Sequence, residues 1–161
     1  MDNMTNNRLC AASVVLLSLT LLLPVRAFAA ESGADNKPFT AVIDQLLDAW
    51  NKRDSAKFAA AFTEDGDFIN PRGGSVHGRK AISEIVAKLV SQAKTGSQAK
   101  RLDAAVKRIK PDVALVLSNL SITSGGKTDN SLATLVLVNA GGKWKISACE
   151  IAAGAAPAGR K

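Results

Sequence analysis

Everything after Ser97 is written in the period of β-strands, and this most narrows what the chain can become. Val113 to Ile122 is a long, largely apolar run. The Gly pair in Ser124-Gly125-Gly126-Lys127 turns it into a second run from about Asn130 to Val138. Asn139-Ala140-Gly141-Gly142 then turns into a third from Lys143 to Ile151. Apolar runs joined by glycine turns at this spacing are successive antiparallel hairpins. Ahead of them, Leu102, Ala104 and Val106 alternate with Asp103 and Lys107, which predicts a fourth strand ending at the Pro111-Asp112 turn.

The preceding half has the period of helices. Asn36 and Pro38 mark a helix start, Asn as a cap and Pro as a first-turn residue that needs no donor. Phe39, Ile43, Leu46, Leu47 and Trp50 follow on one stripe. Asn51-Lys52-Arg53 interrupts it, and Asp54 is placed to cap a shorter helix carrying Phe58, Ala61 and Phe62. Glu64-Asp65-Gly66 reads as a turn, Asp67 to Asn70 as a short strand with Phe68 and Asn70 pointing one way, and Pro71 to Gly74 as a loop that carries on past His77. Gly78 opens a third helix with Ile82, Ile85, Val86 and Leu89 as its stripe. Helices segregated from a following antiparallel sheet make an α+β domain with the helices on one face.

The ends carry different information. Arg8 in a polar stretch, the apolar run Ala11 to Leu23, Pro24 and Ala27-Phe28-Ala29 have the layout of a secretory signal peptide. The run is shorter than the roughly 20 residues of a membrane-spanning helix. Residues 1–29 are therefore expected to be removed after Ala29, leaving a periplasmic or secreted protein with no stable membrane anchor. Residues 30–36 then form a mobile lead, 37–151 one domain, and the low-complexity residues 152–161 a disordered tail. Cys10 would leave with the signal, so Cys149 has no internal disulfide partner and is expected to be a buried small apolar residue.

The full chain has a formal charge of +7. Lys94, Lys100, Arg101, Lys107, Arg108 and Lys110 concentrate it, with Asp103 opposing. Such a run can attract anions, but no aromatic residue is interleaved to stack on a base, so the run predicts a solvated sheet face and no nucleic-acid partner. His77 is the single histidine in the chain, which excludes any site built on several. No GxSxG turn supports a nucleophilic triad, and no GxGxxG fingerprint supports a dinucleotide. Glu64, Asp65 and Asp67 lack the alternating oxygen ligands of a calcium loop. No cofactor and no metal are expected.

The blocks DAWNKRD, FTEDGDFINPRGG followed by GRKAI, and GGKWKIS resemble those of the NTF2-like superfamily, in particular its bacterial SnoaL-like (SgcJ/EcaC-type) domains, over residues 37 to 151. The resemblance implies a cone-shaped barrel, with three N-terminal helices packed on a curved, mostly antiparallel sheet. It also implies an apolar pocket between sheet and helices, and a homodimer through the sheet. Ketosteroid isomerases share this superfamily. Laid on this chain, their proton-abstracting carboxylate falls on Asn70, their oxyanion-binding phenol near Leu46 and their protonated carboxyl near Thr134. An amide cannot act as that base, and the chain contains no tyrosine.

Asn70 and Thr134 remain able to orient a ligand on an apolar wall. Strict alternation from Trp144 places Ile146, Ala148 and Glu150 on its face. If that face is the pocket, Glu150 is an inward carboxyl whose desolvation favours the protonated form, and it becomes the candidate acid or base. Trp50 and Phe68 complete the expected ligand-binding set as apolar walls. The leading expectation is a domain binding a small, largely apolar ligand, or a dimeric scaffold, without covalent catalysis. The alternative is a hydratase, isomerase or cyclase using Glu150, with Asn70 and Thr134 orienting the substrate.

Overall fold

The computed structural model describes residues 35–154. The expected signal peptide, most of the expected lead and most of the expected tail lie outside the described residues. Three helices, α1 (Lys37–Asn51), α2 (Ser55–Ala60) and α3 (Arg79–Gln92), pack on an open, curved sheet. Its strands are β1 (Phe62–Ile69), β2 (Ser75–His77), β3 (Gln98–Arg101), β4 (Ala105–Lys110), β5 (Val113–Ser124), β6 (Lys127–Ala140) and β7 (Lys143–Ala153). The order across the sheet is β2-β1-β7-β6-β5-β3, with β4 also paired to β5. Only β1 and β7 run parallel. The α+β layout and the mostly antiparallel sheet match the expectation; the helices occupy the concave face.

Period two decides the core. Ala114, Val116, Ser118 and Leu120 of β5 and Ala133, Leu135 and Leu137 of β6 are buried. They meet Phe39, Ile43 and Leu46 of α1 and Ile82, Val86 and Val90 of α3. Phe58, Phe62 and Phe68 form an aromatic knot, with centroids 5.5 to 6.1 Å apart, where α2 and β1 join the core.

Local signals need five corrections. Asn36 makes no side-chain cap bond; Asp35 instead accepts from the Lys37 amide at 3.1 Å, whereas Asp54 caps α2 as expected, accepting from Lys57 N at 2.9 Å. Glu64-Asp65-Gly66 lies inside β1 as an irregular stretch, because Phe62 is level with Ile146 while Asp67 is level with Ala148. Residues 75–77 form β2, so His77 stands opposite Asp67 in a strand pair, not in a loop. The single strand expected around 102–106 is two, β3 and β4, both on the same long β5. Between them Asp103 takes the Asn119 backbone amide at 3.1 Å and the Asn119 side chain at 2.9 Å, and Ser118 donates to Asp103 O at 2.6 Å. That knot interrupts the ladder and leaves Leu102 57 % exposed instead of inward. At the far end, Ala152 and Ala153 continue β7, so the expected tail starts too early.

The polar tripeptide between α1 and α2 fastens the layers together. Asn51 Nδ2 donates to Ala99 O at 2.9 Å and its Oδ1 accepts from Ala99 N at 2.7 Å, so the amide serves as the missing neighbour of edge strand β3. Arg53, in the left-handed region at φ 57°, donates to the carbonyls of Val90, Ala93 and Lys94, satisfying the open C-terminal end of α3. Replacing Asn51 by Ala leaves both Ala99 groups unsatisfied and is expected to cost about 1–3 kcal/mol. Leu102→Ala, at an exposed position, should stay within about 0.5 kcal/mol. Urea unfolding of both variants checks the contrast.

Candidate functional site

A cavity of about 390 Å³ opens between the helices and the concave face of the sheet. Leu46, Leu47 and Trp50 of α1 form one side, because residues three and four apart stack on one helical face. Phe58 and Phe68 close its inner end, with Phe58 also 6.4 Å from Trp50 centroid to centroid. Leu120 and Ile122 of β5, Ile151 of β7 and Ala99 of β3 supply the sheet wall. Polar groups occur where α3 ends: Arg72, Gln92, Lys94 and Ser124. No carboxylate lines it among the described residues.

Of the five expected ligand-binding residues, Trp50 and Phe68 line this cavity and Asn70, Thr134 and Glu150 do not. Asn70 is buried, but its polar atoms hold a turn. Its amide donates to Gly74 O and its carbonyl accepts from Gly73 N, both at 2.9 Å, and its Oδ1 accepts from Arg72 N at 2.8 Å. A Cβ on residue 74 would stand 2.7 Å from Asn70 Nδ2, so glycine is what lets the loop fold over the amide. The side chain thereby aims the Pro71-Arg72 corner at the cavity mouth.

Thr134 and Glu150 stand level with one another on the outer face of the sheet. A bulge explains the departure from the alternation. Leu137 pairs with Ile146 and Val136 with Ala148, so β7 spends one extra residue, Ser147, against β6. Beyond it the parity reverses: Cys149 and Ile151 turn inward, and Glu150 is exposed on the far side. The cavity wall that Glu150 was expected to supply is thus Ile151. Of the positions matched to the isomerase machinery, Leu46 lines the cavity with an apolar side chain, Asn70 is committed to its turn, and Thr134 faces away.

The basic run divides by local contacts. Arg101 makes a two-pronged pair with Asp44 at 2.8 and 2.9 Å, which holds its guanidinium further toward the charged form than usual. Arg108 lies over the Phe39 ring, 5.1 Å from its centroid. Lys94 belongs to the cavity mouth. His77 Nδ1 and Asp67 Oδ1 are 2.8 Å apart on the exposed β1–β2 pair.

The residues missed from sequence are mainly the mouth, Arg72, Gln92, Lys94 and Ser124. They come from three separated segments, and nothing in their local patterns announces that they meet. Leu46 and Leu47 were legible as the stripe that ends at Trp50.

Cys149 is buried and its thiol is pushed up to about 12, first by desolvation and second by the nearby Glu150 charge. It is therefore a neutral thiol over the ordinary pH range and a poor nucleophile. In a chain lacking residues 1–29, an aromatic disulfide reagent at pH 8 should release no chromophore from native protein and one equivalent per chain after unfolding in guanidinium. Rapid labelling of the native state would contradict this burial.

With this geometry in place, the chain can be set against known proteins. The family profile described as a SnoaL-like domain matches residues 40–151. A crystal structure of a domain of unknown function with a cystatin-like fold from Nostoc punctiforme is similar at 25% identity and a TM-score of 0.69, covering 78% of this chain and 81% of that one. A ketosteroid isomerase-like protein from Erwinia carotovora atroseptica is similar at 17% identity and a TM-score of 0.64, covering 77% and 99%. A putative scytalone dehydratase from Novosphingobium aromaticivorans is similar at 14% identity and a TM-score of 0.62, covering 78% and 93%. Among curated protein sequences none matches.

Proposed function

The chain belongs to the SnoaL-like family, and from that premise we propose that it is an exported domain that binds a small, largely apolar ligand in the cavity between α1 and the sheet, without covalent catalysis. The observation that carries the reading is the cavity itself, walled by Trp50, Phe58, Phe68, Leu120 and Ile151, with no carboxylate in its lining among the described residues. At about 390 Å³ it falls in the size range of small-molecule sites, roughly 300–1,000 Å³. Proton abstraction would need an acid or base facing the ligand. Asn70 and Glu150 do not supply one, since the first is spent on its turn and the second is turned outward by the Ser147 bulge. Export rests on the N-terminal layout ending at Ala29.

Native mass spectrometry of protein recovered outside the cytoplasm should show a chain that starts at Ala30 and carries a bound small molecule. Ile122→Trp fills the cavity from its β5 wall and should remove that adduct, with the melting temperature changed by only a few degrees. An adduct that persists in this variant, or a wild-type cavity that is always empty, would count against the ligand reading.

The outer sheet face supports a second copy of the chain as partner. One row across five strands reads Lys107, Leu115, Val136, Ala148 and Asp67. Its centre is apolar and its two ends carry opposite charges. A two-fold axis along the strands lays the apolar centres on each other and Lys107 of one copy over Asp67 of the other, a self-complementary contact of the kind a symmetric dimer needs. Val113, Leu117, Leu132 and Val138 widen the apolar area on the same face. Sedimentation should give twice the chain mass for wild type and a single chain for Val136→Lys. A wild-type monomer at tens of micromolar would refute the dimer.

A further inference from the structure

We infer that the ligand is an amphipathic carboxylic acid, its apolar body in the cavity and its carboxylate held at the mouth by Arg72 and Lys94. This rests on the ligand-binding reading above and adds the chemistry of the head group. The polar lining is one contiguous end of the cavity. Arg72 Nη1 donates to Gln92 Oε1 at 3.1 Å, joining the loop after β1 to the end of α3. Lys94 crosses from the end of α3 to the β5–β6 turn, where it packs on Gly125; a Cβ there would stand 2.7 Å from Lys94 Cδ. Gly125 has φ 58°, so glycine serves both the turn and the lysine stem.

The hydrogen-bonding inventory at this end is one-sided. Ser97 donates its hydroxyl proton to Lys94 O at 2.7 Å, so in the 2.8 Å contact between Ser97 Oγ and Ser124 Oγ it is Ser124 that donates. Neither hydroxyl keeps a proton for a ligand. Gln92 accepts from Arg72 with its oxygen, which leaves its amide nitrogen as a donor. Of the groups still open, the charged and N–H ones, namely the rest of the Arg72 fork, the Lys94 ammonium and the Gln92 amide nitrogen, are all donors, while the neutral Ser124 hydroxyl keeps lone pairs only. A carboxylate, with two oxygens and about four acceptor positions, complements that set. None of the ion pairs among the described residues uses Arg72 or Lys94. The apolar walls lower the local dielectric on one side of the cations, which strengthens their attraction for an anion compared with a bare surface pair. The remaining lining is apolar, so the site suits one charged head rather than a charge at each end.

Octanoate, 1-octanol and octylamine share a chain and differ in the head, and titration calorimetry of each at low salt reads the preference. Wild type should bind octanoate about tenfold or more tighter than 1-octanol and octylamine most weakly, the size expected for charge-assisted bonds. Arg72→Gln with Lys94→Gln should bring octanoate to within about twofold of 1-octanol, mainly by weakening octanoate. Arg72→Glu should shift the preference toward octylamine. Equal wild-type affinity for octanoate and 1-octanol, or an octanoate preference that survives the double substitution, would overturn the head-group assignment while leaving the apolar site standing. Parallel loss of octanoate and 1-octanol in the variants would also overturn it, by showing that the two residues merely shape the cavity. If none of the three probes binds wild type, the ligand-binding reading falls and this inference with it.

Discussion

The structure depends on how the polar residues after α1 are satisfied. Backbone groups at a sheet edge and at a helix C-terminus have no partner within their own element. Here Asn51 and Arg53, two residues apart, meet both needs: the amide completes Ala99 on β3, and the guanidinium gathers the last carbonyls of α3. The same short stretch therefore fixes α1, the sheet edge and α3 relative to one another. The space they enclose is the cavity, and its mouth lies where Arg53 holds the end of α3. A site framed in this way is built on helices and strands rather than on a free loop, which favours a preformed pocket.

A second constraint acts through a single inserted residue. Without Ser147 as a bulge, β7 would present Ala148 and Glu150 to the concave face. With it, Cys149 and Ile151 face the core and Glu150 faces out. One backbone irregularity converts a wall with a carboxyl into an apolar one. It also completes the outer face, where Glu150 stands beside Thr134 at the margin of an apolar strip. The two faces of one sheet thus differ: the inner one encloses volume, and the outer one carries an apolar strip with charged residues at its ends.

The glycine-rich loop after β1 shows the same economy of parts. The side-chain oxygen of Asn70 and its backbone N–H and carbonyl are all engaged in turning the chain over Gly73 and Gly74. The consequence reaches the mouth, because the turn delivers Arg72 to Gln92. Asn70 is a structural residue here, and its turn sets where Arg72 stands.

The sequence by itself determined the three helices, the three long strands, the α+β class and the family, since these follow from local periodicity, glycine turns and short blocks such as DAWNKRD and GGKWKIS. It also determined that no tyrosine is present to supply a phenol, because residue identity alone decides that. Only the tertiary structure decided which side chains share a space. Alternation along β7 is a local rule, and the bulge that breaks it exists only through pairing with β6 and β1. Arg72, Gln92, Lys94 and Ser124 meet at one mouth because β1, α3 and β5 are brought together by packing. The division of the 98–110 segment into β3 and β4 likewise depends on the Asp103 contacts with Ser118 and Asn119. Period fixes what an element is; long-range hydrogen bonds and packing fix which of its faces has something to do.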